Sequence, residues 1–229
     1  YFQLLFRNWP TLNSKIFLIT NNIQYKEKKV ISLLLSENNS WSKSVIEAIS
    51  NIETKYILFS LEDFLLKELV NVSRIEDTIE FLIKNDAAAV YLNKNTFTHL
   101  KFVNNDKFKW INPKTPYTVS TQAAIWNKVK LLELLEAHES AWDFEINATI
   151  RNQEYNNNFY CINDNIFNYK HHSVENGLWF PWDIRYLKQC GINVDLNKRK
   201  QISIFKLVKR FIFKPIGFFK LNLKTLLIK

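Results

Sequence analysis

Short apolar runs of about six residues recur along the chain, separated by turns or by amphipathic segments of helical length. No other feature restricts the fold as strongly. The runs occupy residues 15–20, 30–35, 55–60, 87–92 and 159–162. Each is too short for a buried helix and reads as a strand in a sheet interior. Between them the spacing changes to the helical period. Phe2, Leu5, Phe6 and Trp9 fall on one face and the pattern stops at Pro10. Ser40 is placed to cap a helix over 41–52 that turns Val45, Ile46 and Ile49 inward, and Ser73 to cap one over 74–84 that turns Ile75, Ile79, Leu82 and Ile83 inward. Helices are also expected over 128–137 and 146–153, a strand over 117–126, and an irregular stretch or hairpin over 96–115. Strands alternating with helices predict an α/β layered fold with a mainly parallel central sheet, whose ligands sit at the carboxyl ends of the strands.

Composition removes several classes of function. The chain has 229 residues and three Gly, so neither a P-loop nor a G-x-G-x-x-G turn can be written. There is no G-x-S-x-G, no H-E-x-x-H and no Cys-His arrangement to support a hydrolase. Cys161 and Cys190 are far apart and outside any C-x-x-C pattern, which argues against structural zinc and for a reducing compartment. No signal-peptide pattern opens the chain, and no run of about eighteen apolar residues reads as a membrane span. The net charge of +9 is concentrated at one end. Ten of the 31 Lys and Arg lie from Lys198 to Lys229, where there is no Asp or Glu, so the first 197 residues are nearly neutral. A nucleic-acid binder is therefore not expected.

Three motifs carry chemistry. Glu62 and Asp63 directly follow the third apolar run, and carboxylates at such a strand end are costly unless a cation pairs with them. A divalent ion on a nucleoside diphosphate is one such partner; a solvated strand end is the plain alternative. Glu139, Asp143 and Glu145 surround Trp142 and Phe144. Aromatic walls favour a general base there, and Trp142 suits sugar stacking, whereas acids at a helix start are explained equally by the helix dipole. His171 and His172 precede a turn at Gly177. Adjacent side chains of a strand face opposite ways, so at most one of the two is expected to serve; surface histidines in a loop are the alternative. His99 and His138 stand outside any motif.

The order of these motifs resembles that of bacterial surface-polysaccharide glycosyltransferases similar to the GT-A superfamily. The resemblance runs from a helix opening on Trp41 through Glu62-Asp63, the segment Ser120 to Trp126, the Trp142-Asp143-Phe144-Glu145 segment and Gly177 to Trp179. It covers residues 1–199 and implies a nucleotide-sugar donor and a glycan or lipid-linked acceptor. It implies donor binding by Asp63, Glu62, His171 and His172, with Asp63 as the ligand of a Mn²⁺ or Mg²⁺ ion. Asp143 or Glu145 would act as base in an inverting reaction, and Trp142 and Trp126 would line the acceptor. Two departures accompany it: the acidic pair is Glu-Asp rather than D-x-D, and the first strand of such a fold would lie before Tyr1.

The cationic end divides the chain into an expected catalytic domain, 1–197, and a tail, 198–229. In the tail Lys206, Lys209, Arg210 and Lys214 share a helical face opposite Phe205, Leu207, Val208, Phe211 and Ile212. After Pro215 and Gly217 the arrangement repeats with Lys220 and Lys224. Such helices lie on anionic membranes, here expected to be the cytoplasmic face of the cell membrane. A helical pair packed on the domain, or on a second copy in a homo-oligomer, is the alternative. The rival function is a non-catalytic membrane-peripheral module of the same fold; a nucleotidyltransferase would need the absent Gly-rich loop.

Overall fold

The computed structural model describes residues 1–94, 100–103 and 105–207. In chain order the first elements are α1 (Phe2–Asn8), β1 (Ile16–Thr20), β2 (Val30–Leu34), α2 (Trp41–Ser50), β3 (Tyr56–Phe59), β4 (Leu65–Leu66), α3 (Val72–Lys84) and β5 (Ala89–Tyr91). A hairpin of β6 (Leu100–Val103) and β7 (Asn105–Ile111) follows, then β8 (Ala124–Asn127), α4 (Lys128–Leu134), α5 (Ala141–Tyr155) and β9 (Phe159–Ile162). The last described elements are β10 (Tyr169–Lys170), β11 (Val174–Glu175), β12 (Leu178–Trp179) and α6 (Pro181–Gln189). The chain forms two compact units, one of Tyr1–Glu62 with Leu66–Tyr169, the other of Asp63–Leu65 with Lys170–Lys229. The expected boundary at residue 197 lies within the range of the second unit. Residues 204–207 are helical, and Lys209, Arg210, Lys214, Lys220 and Lys224 lie outside the described residues.

The first unit is mixed α/β with a core built mainly on sheet. Its six-stranded sheet has the order β3-β8-β5-β9-β7-β6, and β1 and β2 form a separate parallel pair. The mainly parallel sheet expected from the alternation does not form. Within the six strands β5 and β9 are the one pair of neighbours that run parallel, because β8 enters antiparallel between β3 and β5 and β7 lies antiparallel between β9 and β6. The expected strand over 117–126 shrinks to β8, since 112–123 follows an irregular path fixed by side chains. β3 is thus an end strand of its sheet, and Leu58 is 37% exposed.

Strand side chains alternate between two covered faces. Ala89 and Tyr91 of β5, Ala124 and Trp126 of β8, and Phe159 and Cys161 of β9 pack with Val45 and Ile49 of α2, Leu131 and Leu134 of α4, and Phe144 and Ala148 of α5. The intervening residue Tyr160 meets Phe81 of α3, whose ring also stacks on Phe108 at 3.9 Å. Full burial of each such aromatic or aliphatic side chain contributes about 1.5–3 kcal/mol. The caps follow the expected chemistry with one shift. Ser40 accepts from the Lys43 N–H at 3.0 Å, as foreseen, but α3 starts earlier and its cap is Asn71, which accepts from both the Arg74 N–H and the Ser73 hydroxyl.

Glu139 is 1% exposed and is held by Arg151 through two hydrogen bonds of 2.8 Å and by the Asn147 amide at 2.8 Å. Burial pushes its pKa up; the Arg151 and Asn147 donors outweigh that and hold it below the ordinary value. A depressed carboxylate stabilises the fold above its unfolded pKa, and that contribution is lost as pH falls through the folded value. Arg151→Met should destabilise the protein by about 3 kcal/mol in urea denaturation at pH 7, since it leaves a buried charge unpaired. Glu139→Gln should lose part of the acid-dependent drop in stability below about pH 4 that the wild type shows.

Candidate functional site

In the first unit the carboxylates of the Trp142–Glu145 segment separate completely. Residues 139–145, expected to precede a helix at Ile146, instead start α5 at Ala141. Ser140 is its N-cap and Asp143 its third residue. The Asp143 N–H donates to Ser140 Oγ, while the Ser140 N–H and hydroxyl donate back to the Asp143 carboxylate at 3.3 and 2.6 Å. These bonds hold the Asp143 pKa below its ordinary value. Asp143 is exposed and caps the helix, which by itself accounts for an acid at this position. Two residues further, about 200° around a helix of 3.6 residues per turn, Glu145 points to the opposite side.

Glu145 is 8% exposed. Its Oε1 accepts from the Ser120 hydroxyl at 3.0 Å, the Thr121 N–H at 2.7 Å and the Thr121 hydroxyl at 2.8 Å. Among the described residues no donor reaches Oε2. The loop that supplies these donors is itself held by buried hydroxyls. Tyr91 donates to the Thr118 carbonyl and accepts from the Ser120 N–H, both at 2.8 Å. Thr149, one turn on from Glu145, accepts from the Val119 N–H at 3.1 Å and donates to the Glu145 carbonyl at 2.7 Å. Tyr169 accepts from the Ala123 N–H and donates to Gln122 at 2.7 Å. Burial drives the Tyr91 pKa well above its ordinary value, with the Glu145 charge adding to it, so Tyr91 remains a phenol. Tyr117, at φ 60°, also has a raised pKa, from burial first and then from Glu145.

Sequence reasoning reached Glu145 but missed Tyr91, Tyr117, Ser120 and Thr121. The run Ser120-Thr121-Gln122 held the available signal: three hydrogen-bonding side chains in front of an apolar strand. Of the two expected acceptor residues, Trp142 is 66% exposed. Trp126 is a core residue at 1% exposure, with its ring 5.5 Å from Phe159, and offers no open face for stacking. A small cavity beside it is lined by Trp41, Phe59, Ser120, Thr121 and Phe144.

Glu62 lies exposed in the turn after β3, in the first unit. Because β3 ends its sheet, the expected desolvation of this acid by a sheet centre is not found. Asp63, next in the chain, belongs to the second unit and is half-buried.

The second unit gathers Asp63, His171 and His172. The Ser173 N–H donates to the Asp63 carbonyl at 3.3 Å. The ring of Phe64 meets His171 and His172 edge-on, with centroids 6.0 and 6.3 Å away. The two histidines do not form the extended pair from which opposite-facing side chains were expected. His172 has φ 53°, which breaks the extended backbone and brings both imidazoles around Phe64. β11 and β12 then form a hairpin whose turn residues, Asn176 and Gly177, are at φ 48° and 72°. This is the left-handed pair that a tight two-residue hairpin requires. His138, the other described histidine, lies 3.6 Å from Glu136 on the surface.

No group of three or more His, Cys, Asp or Glu suited to a metal occurs among the described residues. A cation carried by a diphosphate needs only one or two protein carboxylates, so Asp63 remains compatible with that role. No helix among the described residues is long and apolar enough to cross a membrane. No protein-family model matches the chain, and no curated protein matches it in sequence.

Tyr91→Phe tests the support beneath Glu145. It removes the acceptor of the Ser120 N–H and the donor to the Thr118 carbonyl. We expect a loss of about 2–4 kcal/mol, read from the urea midpoint at constant m-value.

Proposed function

We propose that this chain is a glycosyltransferase with a GT-A-like layered fold, moving a sugar from a nucleotide-sugar to a glycan or lipid-linked acceptor in bacterial surface-polysaccharide synthesis. The observation that carries the reading is the Glu145 carboxylate, fixed by three donors on Oε1 with no donor on Oε2 among the described residues. A base held in one orientation loses no reorganisation energy during reaction, which is the condition for efficient proton abstraction. In the proposed reaction Oε2 takes the proton of the acceptor hydroxyl. The hydroxyl oxygen forms a bond to the anomeric carbon as the bond from that carbon to the diphosphate oxygen breaks, and the nucleoside diphosphate leaves. Inversion at that carbon follows from direct displacement.

The donor diphosphate is assigned to Asp63, His171 and His172, with Glu62 the weaker member because it is exposed in the turn. A Mn²⁺ or Mg²⁺ bound with the diphosphate would neutralise charge on the leaving group, with Asp63 as its carboxylate ligand. The imidazoles supply hydrogen bonds to phosphate oxygens in addition. Trp142 offers an exposed ring for the acceptor. The cationic 198–229 segment supports work at the cytoplasmic face of the membrane, where a lipid-linked acceptor would lie.

The test is acceptor-dependent release of nucleoside diphosphate. Glu145→Gln should lower turnover at least about a hundredfold while leaving donor affinity intact. Asp143→Asn should leave turnover unchanged, and Asp63→Ala should abolish donor binding. Full activity in Glu145→Gln would remove the assignment of the base, whereas donor binding without acceptor-dependent release in the wild type would favour a non-catalytic binding module.

A further inference from the structure

Lys170 and Asp183 have no part in the reaction described above, yet they form the most deeply buried ion pair of the second unit among the described residues. Asp183 is 1% exposed, and the Lys170 ammonium lies 2.8 Å from its Oδ1. Besides Lys170, the side chain of the neighbouring Trp182 is directed at this carboxylate, but neither oxygen takes a well-directed hydrogen bond among the described residues. A buried carboxylate with one cationic partner is an expensive way to stabilise a fold, because desolvation offsets most of the attraction. Burial raises the Asp183 pKa in keeping with that cost, with Lys170 acting against it. A specific geometric role accounts for such a pair better than stability does.

The chain around it indicates the role. Lys170 ends β10 and immediately precedes His171. On the far side of the two histidines, the Ser173 N–H donates to the Asp63 carbonyl and the Ser173 carbonyl accepts from the Phe180 N–H at 3.2 Å. Phe180 is the N-cap of α6, and its carbonyl accepts from the N–H groups of Asp183 and Ile184 at 3.1 and 3.2 Å. The first turn of α6 therefore grips both ends of the two-histidine span, at Lys170 through Asp183 and at Ser173 through Phe180. Between these grips His172 sits at φ 53°, a conformation that costs a non-glycine residue energy and persists only where its surroundings impose it. The Lys170 side chain also lies over the Tyr186 ring of α6 at 5.1 Å, which limits its freedom further.

We propose that Asp183 and Lys170 are positioning residues for the donor site, a tether that holds His171 and His172 against Phe64 so that both imidazoles can meet a diphosphate. The inference rests on the assignment of the donor to Asp63, His171 and His172. Asp183 is closed off from any ligand, so its effect on binding passes through Lys170 and the histidine turn. Lys170 itself is partly exposed, so only Asp183 separates positioning from direct contact.

The experiment measures affinity of the full chain for UDP, GDP and dTDP by calorimetry, with turnover of the matching nucleotide-sugar alongside. Asp183→Asn, which keeps shape and removes charge, should weaken nucleotide binding about tenfold and raise KM correspondingly, with kcat at saturating donor unchanged. Asp183→Asn with Lys170→Met should be no weaker than either single variant, since both interrupt one tether. Lys170→Arg should retain more affinity than Lys170→Met. Where Asp183→Asn does not fold, Asp183→Leu, which fills a similar volume without charge, takes its place and should weaken binding likewise, and wild-type affinity in that folded variant would overturn the tether. Wild-type affinity in folded Asp183→Asn, or equal affinity in the Arg and Met variants, would overturn the tether. If the His171→Ala, His172→Ala double variant also binds nucleotide like wild type, or if wild type binds none of the three, the donor-site assignment itself has failed.

Discussion

The first unit depends on one buried carboxylate. Glu139 joins the connection after α4 to α5 through Arg151 and Asn147, and its carbonyl accepts from the Ser42 N–H at the start of α2 at 3.1 Å. Arg151 also donates to the Leu134 carbonyl at the end of α4, covering a backbone acceptor that the helix leaves unpaired. Three helices on one face of the sheet are thus tied together through Glu139, by its carboxylate and its carbonyl, and through Arg151. The rotation of α5 about its axis follows from that anchor and from the core contacts of Phe144 and Ala148. That rotation decides which of the acids at its start faces solvent and which faces the Ser120 loop.

A common physical pattern runs through both candidate sites. Each functional group is held by a residue with no contact to substrate in the proposed reaction. Glu145 is oriented by Ser120 and Thr121, whose loop is held in turn by the buried hydroxyls of Tyr91 and Thr149. The histidine turn is held by the backbone of Ser173 and the first turn of α6. Positive φ at Tyr117 and His172 occurs beside these two groups.

Much of the local structure was legible in the sequence because it rests on short-range rules. The apolar runs at β1, β2, β3, β5 and β9 were readable from composition, and the cap of α2 from Ser40 before a periodic segment. Strand direction was not, because nothing in Ala124–Asn127 distinguishes a strand that runs antiparallel between β3 and β5 from one that follows a helical crossover. The path of 112–123 was hidden for the same reason: it is fixed by Tyr91, Thr149 and Tyr169, residues far away in the chain. Asp143 and Glu145 looked equivalent as letters, and only the start of α5 at Ala141 separates a capping acid from a buried one. Trp126 looked like a sugar platform because aromatic character is visible in sequence and burial is not. Asp183 gave no signal, since a lone Asp in the first turn of a helix is ordinary.

The central claim is that this fold binds a nucleotide-sugar, and ligand-induced stabilisation measures that directly. A ligand that binds only the folded chain stabilises it by about 2.7 kcal/mol at one hundred times its Kd. Thermal unfolding should therefore be followed with UDP-, GDP-, CMP- and dTDP-sugars, each with and without Mn²⁺. The account predicts that one nucleotide class raises Tm and that the others leave it in place. An unchanged Tm with every donor, in both the presence and the absence of Mn²⁺, would contradict it.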